Sequence, residues 1–154
     1  MLILLQRALQ FDCDVNPLDK IKESARNKPE SATKYYTYRS VLNTGMSVHE
    51  IYLGNQYIPD YMRQSFSRVR LMSHDLKIET GRWSRTPREM RRCHCNGLNV
   101  QTEEHVLVNC VITRELRIKY GLNNIQNLDS LFKSSEISNV CRYIHEALRI
   151  IRNN

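Results

Sequence analysis

The sequence predicts a mostly α-helical fold, a small helical domain with an irregular and basic centre. Three observations predict it. Apolar residues recur at helical spacing from one end of the chain to the other. No segment sustains the alternating pattern of a half-buried strand, and no hairpin is expected. With 41% hydrophobic and 25% charged residues, and only 5 Gly and 4 Pro, the composition is globular rather than disordered. A chain of 154 residues is long enough for one domain of ordinary size, or two small ones, with a real core.

Taken in order, residues 17–27 open on Pro17, which suits a first helical turn. The run Lys34–Leu42 places Tyr35, Tyr38 and Leu42 on one face, as core aromatics. Gly45 ends that helix, Ser47 caps a short one over Val48–Leu53, and Gly54 ends it. Pro59 and Asp60 begin a longer helix through about Met72. There Met62, Phe66 and Val69 face inward, while Arg63, Arg70 and His74 fall on another, cationic side. From Asp75 to Arg92 the periodicity fails, with Gly81, Ser84 and Pro87 as breakers, and an extended Arg-rich loop is expected. Arg114–Tyr120 reads as a helix stopped by Gly121. The last helix, about Glu136–Arg152, carries the clearest amphipathic pattern: Ile137, Val140, Cys141, Ile144, Ala147, Leu148 and Ile151 share one face. Cys141 is expected there as a small buried hydrophobe, and Cys13 is read the same way. Residues 1–62 form a helical N-terminal region, 63–120 a basic segment with a Cys/His centre, and 121–154 a helical end packed into one unit with the rest.

The net charge of +7 is local. Residues 1–62 carry 7 basic and 7 acidic side chains, residues 93–154 carry 7 and 6, and residues 63–92 carry 9 and 3. A stripe of that kind attracts phosphate-rich partners, because each neutralised phosphate releases counterions. No run approaches the ~20 apolar residues of a membrane span, and the apolar start at Met1–Leu5 is broken by Gln6 and Arg7, so no secretory signal and no membrane partner are expected. Five cysteines cannot all pair, and three lie within eighteen residues, which suggests metal ligation inside a reducing compartment.

Cys93, Cys95, His105 and Cys110 form C-x-C-x9-H-x4-C. Three soft thiolates and one imidazole suit a tetrahedral structural zinc ion, with no position left for a reactive water. His94, between the first two cysteines, is an alternative ligand. On a continuous α-helix five residues rotate by about 500°, leaving His105 and Cys110 about 140° apart. A helical turn starting near Thr102 or Glu103 must therefore distort or end around Asn109. Arg91 and Arg92, next to the cluster, are expected to stabilise thiolates.

The stretch Ser67-Arg68-Val69-Arg70-Leu71, Ser73-His74-Asp75-Leu76, Ile78-Glu79-Thr80-Gly81-Arg82-Trp83, Pro87-Arg88-Glu89, Arg92-Cys93-His94-Cys95, Glu103-Glu104-His105 and Cys110 resembles the C-terminal zinc-knuckle-like region of non-LTR (LINE-type) retrotransposon reverse transcriptases. The resemblance covers roughly residues 63–120. It departs at Cys93–Cys95, where the family usually has two intervening residues, and at Val111 and Thr113, where the family often has Pro and Tyr. The resemblance implies a module that holds RNA template or target DNA, linked to the remainder of a retroelement polyprotein. It also implies that catalysis resides elsewhere in that polyprotein, and an intracellular, nuclear location is expected.

The residues agree with a non-enzymatic role. No adjacent Asp-Asp pair exists to hold the two metal ions of a polymerase, and Asp12 and Asp14 lack a Lys or His constellation for a nuclease. Expected phosphate contacts are Arg63, Arg68, Arg70, Arg82, Arg85, Arg88, Arg91 and Arg92, with Trp83 either stacking on an unpaired base or anchoring the loop. Arg outnumbers Lys eight to one there, which suits bidentate phosphate contact. Some of these arginines should pair with Asp75, Glu79 and Glu89, and Glu79–Arg82 is the obvious pair. A second reading is a zinc-stapled protein-interaction module docking a partner through residues 34–53 and 136–152, and a third is a relic without activity.

Overall fold

The computed structural model describes residues 49–53 and 57–153, all within one compact unit, Thr37–Asn154. The helices expected at 17–27 and 34–42, and Cys13, lie outside the described residues. The described fold is helical, as the sequence predicts: α1 (Asp60–Arg70), α2 (Lys77–Trp83), α3 (Arg114–Lys119), α4 (Leu128–Phe132) and α5 (Ile137–Asn153). Short 3-10 turns occupy Glu50–Tyr52 and Arg88–Met90, and a π turn spans His105–Asn109. Within the expected helix Val48–Leu53, the described residues form a single tighter turn, Glu50–Tyr52. No described helix is long and apolar enough to cross a membrane.

Helix α5 is the hub, touching α1, α3, α4 and the π turn. Its buried face is the expected one, Ile137, Val140, Cys141, Ile144, Ala147 and Ile151, with Leu148 half-buried. Tyr143 joins it, fully buried, because its hydroxyl donates to the Leu107 carbonyl at 2.7 Å and so satisfies the one polar atom. This packing covers the apolar face of α5 with its own chain, Ile144 completely, and leaves its polar face to solvent. Across from it, α1 contributes Phe66 and Val69, and the Phe66 ring meets Phe132 of α4 edge-on, 5.1 Å between centroids.

Both well-defined helix ends follow from backbone hydrogen bonding. After α3, Gly121 takes φ 70°, with Leu122 N–H donating to Arg117 O and Gly121 N–H to Ile118 O, and the buried Leu122 closes the motif. After α1 the same pair of bonds forms, Ser73 to Arg68 and Met72 to Val69, but the left-handed position is Met72, φ 51°. That is strained for a residue with a β-carbon, and the burial of the Met72 side chain in the core offsets it. Helix α1 therefore stops at Arg70, two residues before the expected end.

Three sequence expectations are corrected. The segment 75–92 is not an extended loop, because Gly81 sits inside α2 rather than breaking it. A β-carbon there would lie 2.6 Å from Cδ and Nε of Arg91, so the glycine admits a neighbouring side chain. Helix α4 was not expected, since five residues carry no periodicity. Its Asn127/Ser130 capping box uses Ser in the place usually held by Glu or Gln. Finally, a hairpin-like turn does exist. Asn96-Gly97, with Gly97 at φ 66°, reverses the chain so that Arg92 bridges Val100.

Candidate metal centre and its basic surroundings

Two local structures bring the four ligands together. In the first, the Asn96 carboxamide accepts from Leu98 and Asn99 N–H (3.0 and 3.2 Å), Gly97 N–H donates to Cys93 O, and Cys93 N–H donates to Asn99 O. This tight turn lets a C-x-C pair point to one side. In the second, the Thr102 hydroxyl accepts from His105 N–H (3.1 Å) and starts the turn, which then widens. Cys110 N–H donates to His105 O at 2.6 Å, an i→i+5 bond, so the five residues that an α-helix would splay by about 140° complete roughly one π turn instead. The expected distortion between Thr102 and Asn109 is this π turn. Val106, Leu107 and Val108 are buried and tie it to the core.

The ligand atoms of Cys93, Cys95, His105 and Cys110 all lie within 4.8 Å of one another, close enough to hold a metal ion. Sulfurs ~2.3 Å from a tetrahedral ion stand about 3.8 Å apart. Cys93 Sγ and Cys110 Sγ are 3.8 Å apart, well beyond a disulfide bond, and Cys95 Sγ lies 3.2 Å from His105 Nε2. Cys93 and Cys110 are buried, whereas Cys95 and His105 reach towards the surface. His94 is exposed and stands outside the cluster, so the alternative ligand is not used.

The electrostatics fit a cation. Burial, with hydrogen bonds and repulsion from Cys93 and Cys110, pushes the Cys95 thiol up to about 12. Burial likewise raises Cys110. Without a positive ion these thiols hold their protons, and a dication would supply the missing charge. Burial, then the Arg117 charge, lowers His105, keeping its imidazole neutral and ready to donate a lone pair. The expectation that Arg91 and Arg92 stabilise thiolates is not met. Arg91 points to the Thr86 and Ile78 carbonyls, and Arg92 to those of Glu89 and Gly97. The cation that does stand behind the cluster is Arg117, buried, bonded to Cys110 O (3.0 Å) and Thr113 Oγ1 (2.9 Å). Sequence reading missed it, because it lies outside the basic stripe and only the fold of α3 brings it back to Cys110.

The expected phosphate-binding arginines divide into two groups. Arg70 is 4% exposed and so is not on the surface. Arg91 gives three hydrogen bonds and Arg92 two to backbone carbonyls. Arg63 pairs with Asp60, and Arg82 with the buried Glu79 at 3.4 Å, as the i, i+3 spacing suggested. Asp75 pairs instead with Arg152 on α5. Arg68, Arg85 and Arg88 are exposed, with no hydrogen bond or ion pair to their side chains among the described residues. Trp83 is 73% exposed.

Compared with protein-family models, curated proteins and solved structures, the chain matches none.

Proposed function

We propose that this chain is a non-catalytic nucleic-acid-binding module, stapled by a structural zinc ion and akin to the C-terminal region of a non-LTR reverse transcriptase. One observation carries the reading. Trp83, Arg85 and Arg88 are all exposed on the segment that leads into the Cys/His cluster, an aromatic side chain and two guanidinium groups on one short stretch. Four ligands from two separate turns fill the zinc coordination sphere, so the ion fixes the fold of 93–110 and carries no reaction. RNA template or target DNA would supply the phosphates, as the resemblance implies, and the remainder of a retroelement polyprotein would supply the catalysis.

The test is a salt titration of binding to single-stranded RNA and to duplex DNA, with metal analysis of the purified protein. One zinc per chain and a log–log slope of several units are expected. A flat slope or no binding at low salt overturns the nucleic-acid reading, and metal-free protein of equal stability overturns the staple.

A further inference from the structure

Away from the Cys/His cluster, one concave surface gathers four cations, and only two of them belong to the basic stripe of residues 63–92. A cavity of about 430 Å³ opens between α1, the start of α2 and α5. Arg68 from α1, Lys77 from α2, and Arg149 and Arg152 from α5 line it, against one acidic residue, Asp75, which Arg152 already neutralises. Two of these four cations come from the C-terminal segment whose charge is nearly balanced, so no count along the chain finds them.

Three further features shape what the cavity takes. Leu76, Leu148 and Ile151 give it an apolar floor. At its mouth Tyr61 is 53% exposed, with its ring edge-on to His145 at 4.9 Å, and His145 is held by Ser65 Oγ at 3.0 Å, so the aromatic pair is fixed in place. The inner wall is rigid too. Leu76 N–H donates to His74 Nδ1 (3.3 Å), which puts the ring proton on Nε2, and Nε2–H donates to the Glu103 carboxylate at 2.7 Å. Among the described residues the side chains of Arg68 and Lys77 have no ion-pair partner, and an anion is what they lack.

We propose that this cleft seats one unpaired nucleotide of a single-stranded nucleic acid, its base on Tyr61 and the apolar floor and its flanking phosphates on Arg68, Lys77 and Arg149. A flat apolar base beside an anion matches an apolar floor beside cations, and the volume lies in the range of small-ligand sites. A base inside a duplex keeps both faces stacked on its neighbours, so an unpaired base is the one that can lie on Tyr61 and the apolar floor. Cations from three helices exceed what one phosphate needs, which favours a strand over a free nucleotide. The proposal rests on the nucleic-acid reading above and assigns it a strand type and a second contact surface.

Binding of a fluorescein-labelled 12-nucleotide oligouridylate, a blunt 12-base-pair duplex and uridine monophosphate to the full chain tests it. Arg68→Gln/Arg149→Gln should weaken oligouridylate binding at least tenfold and lower its salt slope by about 1.4, a clearly larger loss than the same variant shows for the duplex. Tyr61→Ala should weaken the oligouridylate, and Tyr61→Phe should restore it. All three variants replace side chains at the surface, and unchanged thermal unfolding checks that the fold is kept. Oligouridylate binding that survives Arg68→Gln/Arg149→Gln but falls in Trp83→Ala overturns the cleft and leaves the broader reading standing. No binding of either oligomer overturns both. Uridine monophosphate binding as tightly as the oligouridylate overturns the strand and makes the cleft a mononucleotide site.

Discussion

Arg91 is the arginine for which sequence and structure disagree most sharply, and the disagreement can be measured. Its guanidinium donates to Thr86 O from both Nε and Nη2 (2.9 and 2.7 Å) and to Ile78 O from Nη1 (2.8 Å), tying α2 and the turn after it to the segment leading into Cys93. Its stem crosses α2 at Gly81, where a β-carbon would sit 2.6 Å from Cδ. Hydrogen bonds to a charged group contribute about 1.5–3 kcal/mol each, but these are only partly buried, so Arg91→Ala should cost about 2–3 kcal/mol in total. Gly81→Ala should gain about 1 kcal/mol of helix propensity and lose about 1–3 kcal/mol to overpacking against the pinned stem. In the double variant the new methyl occupies the space that Arg91 leaves. The two losses should therefore fail to add, with a coupling of about 1–2 kcal/mol in favour of the pair. Urea unfolding of the four proteins measures the cycle, and Arg91→Lys should not rescue, since an ammonium cannot bridge both carbonyls in the same fork. Strict additivity would refute the interlock. So would an Arg91→Ala protein of unchanged stability with a shallower salt slope for nucleic acid, because that is the behaviour of a phosphate contact.

Other expectations follow from the same geometry. Trp83→Ala should leave stability within about 0.5 kcal/mol while weakening single-stranded binding by about 1–3 kcal/mol; a large loss of stability would show that the ring is an anchor after all. A chelator at pH 7, or Cys110→Ser, should remove one metal ion per chain and lower the unfolding free energy by several kcal/mol, and unfolding curves that superimpose with and without chelator would refute it. Burial pushes the Cys141 thiol up to about 12, against about 8.5 in an unfolded chain. The folded state thus keeps a proton that the unfolded state releases. The contribution is complete below about pH 8.5 and falls by about 1.4 kcal/mol per pH unit as pH rises from there towards 12. Chelated Cys141→Ala protein should show an alkaline stability slope shallower by that one proton, and an identical slope would refute the assignment.

The sequence alone determined what repeats locally. The apolar face of α5 is legible because seven side chains at helical spacing admit one buried orientation, and the ligand set is legible because Cys93, Cys95, His105 and Cys110 are the right atoms in a short span. Even the distortion before Cys110 followed from the 3.6-residue period, which cannot aim an i, i+5 pair at one ion. Tertiary structure decided everything that depends on which side chain fills which space. Gly81 reads as a breaker until Arg91 is seen lying across it, and eight arginines read alike until each guanidinium finds a carbonyl, a carboxylate or water. Burial sorted them, because an unpaired charge taken out of water is too costly to keep, so Arg70 and Arg117 went inward only where the fold surrounds them, while Arg68, Arg85 and Arg88 stayed free. The cleft that collects Arg149 and Arg152 with Arg68 and Lys77 exists in no stretch of sequence, since it joins residues more than seventy positions apart.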